Sequence, residues 1–189
     1  IYCSNTIRAR DSAKIIAKEI GQKIKEEVEG LIEQVISSEK LNEEQLEELI
    51  NCWKQGKDFK FKGGETVCEF KDRILKELEK HYSSNKTIVI VTHAGVISVV
   101  CAYFSGQDFI KARTLSKDIN YGEGRVLEFK DSKLWSLHKL PKDNNFYLTL
   151  PYRKTCVLIV RKMNDILVVH KKDHSEAIWT LPAGGRLNF

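Results

Sequence analysis

The chain has 189 residues, of which 42% are hydrophobic and 30% charged, a composition that excludes whole-chain disorder and suffices for one large domain or one domain with part of another. No apolar run approaches the ~20 residues of a membrane-spanning helix; the longest, residues 96–104, is broken by Ser98, so a soluble, cytoplasmic chain with no membrane partner is expected. The net charge of +5 is uneven, because residues 22–50 hold nine Glu and three Lys, a local net of −6 that leaves +11 elsewhere.

In chain order, Ile1-Tyr2-Cys3 reads as the end of a strand, so a further segment is expected upstream of it. Ala9, Ala13, Ile16, Ala17 and Ile20 then recur at helical spacing between the polar Ser4-Asn5-Thr6 and a stop at Gly21. Residues 22–64 are Glu-rich and read as a surface insertion with one helix, opened by the capping box of Asn42 and Gln45. Thr66 and Glu69 form a second capping box, and Val67, Phe70, Ile74, Leu78 and Tyr82 follow at spacings of three and four, which predicts a long amphipathic helix. The β-branched run Thr87-Ile88-Val89-Ile90-Val91-Thr92 predicts a strand buried on both faces of a parallel sheet. A helix over residues 96–104 stops at Gly106, and short strands are predicted near 125–129 and 134–137. The first domain is expected to cover residues 1–140, with a linker at 141–151. A second unit at 152–189 is expected to open with a β-hairpin, residues 156–160 and 166–170, around an Asn164-Asp165 turn. Helix, loop, buried strand and helix in succession predict an α/β fold.

Thr92-His93-Ala94-Gly95 closes the buried strand at the edge where open α/β sheets place ligands, and the next helix turns its free N–H groups there. Such a place suits an anion. His93 can donate to a phosphoryl oxygen, and Gly95 allows a substrate oxygen close to the backbone. Arg8, in the first turn of the first helix, projects over the same edge with a planar fork matched to phosphate oxygens. The basic remainder of the chain suits small phosphorylated substrates by steering; no stripe of Arg and Lys interleaved with aromatics points to nucleic acid.

Three blocks along residues 1–140 resemble the histidine phosphatase (phosphoglycerate mutase-like) superfamily. Ser4-Asn5-Thr6-Ile7-Arg8-Ala9-Arg10-Asp11-Ser12-Ala13 is similar to S-x-x-x-R-A-x-x-T-A with Ser12 for Thr, Gly64-Glu65-Thr66 with Arg73 to G-E-S and its downstream Arg, and Val91-Thr92-His93-Ala94-Gly95-Val96-Ile97 to V-S-H-G-G-x-I with Ala94 for Gly. The resemblance implies a three-layer α/β/α domain with a mostly parallel sheet, lacking its N-terminal strand, and hydrolysis of a phosphomonoester through a phosphohistidine without a cofactor. It implies that Arg8 and His93 hold the transferring phosphoryl group, with Ser4, Glu65 and Gly95 lining the substrate site. The nucleophile of an Arg-His-Gly motif is not among the 189 residues, so this chain alone is expected to be inactive. The family's proton-donor pattern E-x-x-x-G-x-x-E-G reads here as compressed onto Glu26-Glu27-Val28-Glu29-Gly30, with Glu27 as donor and Glu26 next. Arg73 reads as structural. A mutase-type phosphotransferase and a degenerate domain that only binds phosphorylated ligands remain alternatives.

Trp179-Thr180-Leu181-Pro182-Ala183-Gly184-Gly185 resembles the W-x-L-P-x-G-G opening of a Nudix hydrolase box, with Gly185 beside the substrate pyrophosphate. That implies the first hairpin of a Nudix α/β fold, a nucleoside diphosphate hydrolase fused to the phosphatase, and Mg2+ for a complete domain. The metal-binding glutamates of the box are absent. His170 and His174 flank no helix and suggest no metal site. Cys3, Cys52, Cys68, Cys101 and Cys156 never form C-x-x-C, which argues against a disulfide framework or a zinc site.

Overall fold

The computed structural model describes residues 1–82, 87–120, 122–130, 133–139, 156–162, 169–170 and 179–180. Strand β1 (Tyr2–Ser4) leads through a two-residue loop into α1 (Ile7–Glu19), followed by β2 (Glu26–Val28) and a 3-10 turn, Glu29–Leu31. Helices α2 (Glu43–Lys54) and α3 (Val67–Tyr82) precede β3 (Ile88–Thr92), α4 (Ala94–Phe104), α5 (Phe109–Ala112) and a 3-10 segment, Arg113–Asp118. Strands β4 (Gly124–Lys130), β5 (Lys133–Lys139), β6 (Cys156–Lys162), β7 (Val169–His170) and β8 (Trp179–Thr180) complete the order.

The local signals behave as their chemistry requires. Gly21 lies at φ +63°, and Gln22 N–H to Ala17 O and Gly21 N–H to Lys18 O close α1 as a Schellman motif. Both capping boxes form, with Gln45 N–H on Asn42 Oδ1 at 2.8 Å and Glu69 N–H on Thr66 Oγ1 at 3.1 Å.

The six-stranded sheet runs β2-β1-β3-β6-β4-β5. β2, β1 and β3 are mutually parallel neighbours; β6 is antiparallel to β3 and parallel to β4, and β4 and β5 form an antiparallel hairpin. The sheet is therefore mixed. Alternation along β3 sends Ile88 and Ile90 to one face, packed in a cluster with Phe70, Ile74, Val96 and Val99 of α3 and α4. Val89 and Val91 point to the other face, against Ala9, Ala13 and Ile16 of α1. Alanines on α1 let its backbone come close to the sheet, and the result is a three-layer α/β/α arrangement.

Two expectations change. The Glu-rich stretch is more than a surface insertion: it supplies β2, and Val28, Leu31, Leu49 and Trp53 are buried in the core. Those apolar residues are too sparse among glutamates to show a period. The strand at 156–162, expected to pair with its successor in a separate hairpin, instead lies within the main sheet, from Ile88↔Val160 to Thr92↔Cys156. β7 pairs with β8 in a separate two-stranded sheet. The expected Asn164-Asp165 turn, the 141–151 linker and Gly185 lie outside the described residues.

Candidate active site

β1 and β3 are parallel neighbours, so their C-terminal ends, Ser4 and Thr92, open on the same sheet edge. The chain leaves β1 to start α1 with Arg8 in its first turn, and leaves β3 through His93, the N-cap of α4. Residues 85 positions apart in sequence thereby meet. Arg8 donates through Nε and Nη2 to His93 Nδ1 at 3.3 and 3.0 Å. On the opposite side of the ring, Nε2 lies 3.0 Å from Ser4 Oγ and 3.5 Å from Thr6 Oγ1. Expected site residues Ser4, Arg8 and His93 are thus brought together as one cluster.

A guanidinium has no acceptor, so Nδ1 facing Arg8 must hold a lone pair. The proton then sits on Nε2 and is donated to Ser4 Oγ. Burial pushes the His93 pKa down from 6.5 to about 4, with Arg8 adding to the effect and Glu33 opposing it. The free site holds a neutral imidazole at neutral pH. Because the folded value lies below the unfolded one, the associated stability is whole above pH 6.5 and is lost as pH falls toward 4. The melting temperature of the wild-type chain should accordingly drop more steeply between pH 6.5 and 4 than that of His93→Gln. Parallel profiles in a thermal titration would contradict the buried neutral histidine.

A carboxylate completes the cluster. Glu33 Oε2 accepts the Gly95 N–H at 3.1 Å, over the N-terminus of α4, and Oε1 accepts Arg113 Nη2 at 3.3 Å and the Gln34 N–H at 3.0 Å. Thr92 Oγ1 donates to Leu31 O at 2.8 Å and ties the end of β3 to the turn that precedes Glu33. The anion position offered by the helix terminus is therefore filled by the protein's own side chain. Gly95 is the residue that makes room, since a Cβ there would lie 2.1 Å from Glu33 Oε1. The close approach foreseen for a substrate oxygen is occupied here by Glu33.

Other expected residues lie elsewhere. Glu27, on β2 opposite Cys3, ion-pairs with Arg10 at 2.8 Å with much of its side chain in solvent. The shared N-terminus of α4 is reached from Glu33, six residues later. Glu65 spends its carboxylate on the Arg73 guanidinium and the Val35 N–H at 3.1 Å, while Arg73 also donates to Gly30 O at 2.8 Å. That pair braces residues 30–35.

The sequence reading did not single out Glu33 and Arg113, which the structure places together at the N-terminus of α4. The signal for Glu33 was present, because E-x-x-x-G-x-x-E fits Glu26, Gly30 and Glu33 without compression, and only the closing glycine is replaced, by Gln34. Arg113 carries no motif. Among the thiols, burial raises Cys3 to about 11 and Cys101 to about 12, so neither is a thiolate at neutral pH. Among the described residues no three His, Cys, Asp or Glu side chains are grouped to hold a metal ion, and no helix is long and apolar enough to cross a membrane.

A family model described as "Histidine phosphatase superfamily (branch 1)" matches residues 1–142. No curated protein and no solved structure matches the chain.

Proposed function

Since the chain belongs to the histidine phosphatase superfamily, we propose that it serves hydrolysis of a small phosphomonoester, with Arg8 and His93 holding the transferring phosphoryl group. The observation that supports this is the convergence of Arg8, His93, Ser4 and Glu33 at one sheet edge and one helix N-terminus. In the free site Arg8 spends two N–H groups on His93 Nδ1; a dianionic phosphoryl group is the stronger acceptor and draws the fork away. His93 then presents N–H to another phosphoryl oxygen.

In the reaction a histidine nitrogen of the family's Arg-His-Gly motif attacks phosphorus and the P–O ester bond breaks. The leaving oxygen keeps the bonding pair and takes a proton from a side-chain carboxyl group. Water next attacks the phosphohistidine, the P–N bond breaks, and the water's proton returns to that carboxylate, which leaves an alcohol and inorganic phosphate as products. Nearly all of this is positioning and charge stabilisation, as phosphoryl transfer requires.

The Nudix reading of residues 179–185 stands as a second part of the proposal, carried by the Trp-x-Leu-Pro-x-Gly-Gly sequence alone. Residues 185–189 contain no carboxylate, so the residues in hand do not fit a divalent cation and no step is assigned to one. The test is inorganic phosphate release by the full-length protein from p-nitrophenyl phosphate and from a nucleoside triphosphate, with and without EDTA. Monoester hydrolysis is expected to survive chelation and diphosphate hydrolysis to be lost. EDTA-sensitive monoester hydrolysis would overturn the histidine and arginine mechanism. Phosphate binding without turnover would identify a domain that only binds its ligand, and transfer that requires a bisphosphorylated primer would identify a mutase.

A further inference from the structure

We propose that a cavity at the end of β3 remote from His93 binds a small aromatic amine, a single ring that carries a cationic group. Ile88 opens β3, whereas His93 follows its other end. Around Ile88 the C-terminal halves of α3 and α4 and the end of β4 come together and leave a space of about 160 Å³. Leu75, Leu78 and Ile88 line one part of it, and Phe104 and Phe129 another. Tyr103 and Glu79 complete the lining; both are exposed, so they mark the mouth.

Protein interiors leave few voids larger than a water molecule, and this one does not suit water. A buried water needs several polar partners, and the polar side chains of this lining, Glu79 and Tyr103, stand at the mouth. The size fits one ring instead, since an apolar cavity of about 150 Å³ lined by Leu, Ile and Phe takes up benzene. The wall is also built for a ring. Phe104 meets Phe129 edge to face, with centroids 4.9 Å apart and 81° between the planes, and Tyr103 meets Phe104 at 5.2 Å and 77°. A further ring extends that packing, because aromatic groups favour edge-to-face contacts over a face-to-face sandwich.

The mouth sets the charge of the ligand. Glu79 stands in the last turn of α3 and Tyr103 in the last turn of α4, so a carboxylate and the partial negative charges of two helix C-termini gather at one opening. Among the described residues no ion pair engages Glu79. Lys80 is bound to Glu77 at 2.8 Å, and Lys71, which lies over the Tyr103 ring, is bound to Asp72 at 2.9 Å. An ammonium group is therefore attracted to this mouth and a carboxylate is repelled.

The probe is benzylamine, titrated into the full-length protein and followed by nuclear magnetic resonance, with benzyl alcohol and benzoate as its neutral and anionic counterparts. Saturable binding with a Kd on the order of 1 mM is expected, ordinary for a fragment of this size. Benzyl alcohol should bind about 3-fold more weakly, the effect of one exposed charge at a helix end, and benzoate more weakly still. Glu79→Gln should erase most of that difference and leave benzyl alcohol unchanged. Leu75→Phe, which puts a ring of the protein's own into the cavity, should weaken benzylamine by at least about 10-fold. Inorganic phosphate should not compete, because the phosphoryl edge lies at the opposite end of β3. In the wild-type protein the ring current of the bound ligand should shift the methyl resonances of Leu75, Leu78 and Ile88.

Absence of saturable binding, competition by inorganic phosphate, or an unchanged affinity in a folded Leu75→Phe variant overturns the site. Benzoate binding as tightly as benzylamine overturns the ligand class. Should Leu75→Phe not fold, the wild-type methyl spectrum decides: shifts centred on Leu75, Leu78 and Ile88 support the site, and unmoved resonances of all three refute it.

Discussion

Replacing His93 by alanine is expected to lower turnover of phosphomonoesters in the full-length protein by at least ~100-fold, the loss typical when one transition-state donor is removed. His93 is placed for this by two different elements. β3 delivers it to the sheet edge as the N-cap of α4, and the Nε2 contact with Ser4 fixes the ring while Arg8 covers Nδ1. The fold should survive, since the His93 side chain makes no capping bond to α4 and the packing of β3 rests on Ile88, Val89, Ile90 and Val91. Arg8→Lys probes the other half of the pair. An ammonium does not reproduce a two-pronged contact with phosphate, so KM should rise with the fold intact. Steady-state kinetics with circular dichroism on both variants decide it. Wild-type turnover in His93→Ala would remove the cluster from the mechanism, and a wild-type KM in Arg8→Lys would make that arginine peripheral.

Ending the chain at residue 142, the limit of the family match, should abolish cooperative folding, and ending it at 162 should not. β6 lies in the interior of the sheet, paired with β3 from Ile88↔Val160 to Thr92↔Cys156 and with β4 from Gly124↔Val157 to Phe129↔Lys162. Without it both neighbours present unpaired N–H and C=O groups in the middle of the molecule, and each buried unsatisfied group costs about 1–3 kcal/mol. Over two ladders that exceeds the 5–15 kcal/mol available to an ordinary domain. Far-ultraviolet circular dichroism and thermal melts on the two lengths would show it. A 142-residue chain with a sharp transition near that of the longer one would mean that β6 is dispensable to the sheet.

Much of the site was legible in the sequence because strand ends and helix starts are marked locally. The apolar run through Val91 and the small Ala94-Gly95 locate His93, and the polar Ser4-Asn5-Thr6 before Ala9 and Ala13 locates Arg8. What joins them is the parallel pairing of β1 and β3, which parallel-strand logic foresees. The contact of Glu33 with the N-terminus of α4 was hidden in a stretch where glutamates are common. Arg113 was illegible for a physical reason: its contacts are with Trp53, Phe70 and Gln34, all distant in sequence. The interior place of β6 was hidden for the same reason, since a β-branched run states that a strand is buried and leaves open which strands bury it.

The interior place of β6 also bears on the order of events during synthesis. At ~5–20 residues per second, β6 follows β3 out of the ribosome by roughly 3 to 13 seconds. Through that interval α1, α3 and α4 can already cover the faces of the sheet, while the ladders that β6 forms with β3 and β4 are not yet made. The last strand of the six-stranded sheet to be made must then insert between two strands made before it, over large sequence separations that slow folding. Until β6 is made, the edges of β3 and β4 that it covers lack that partner, and those edges are where a chaperone or a competing strand would engage the nascent chain.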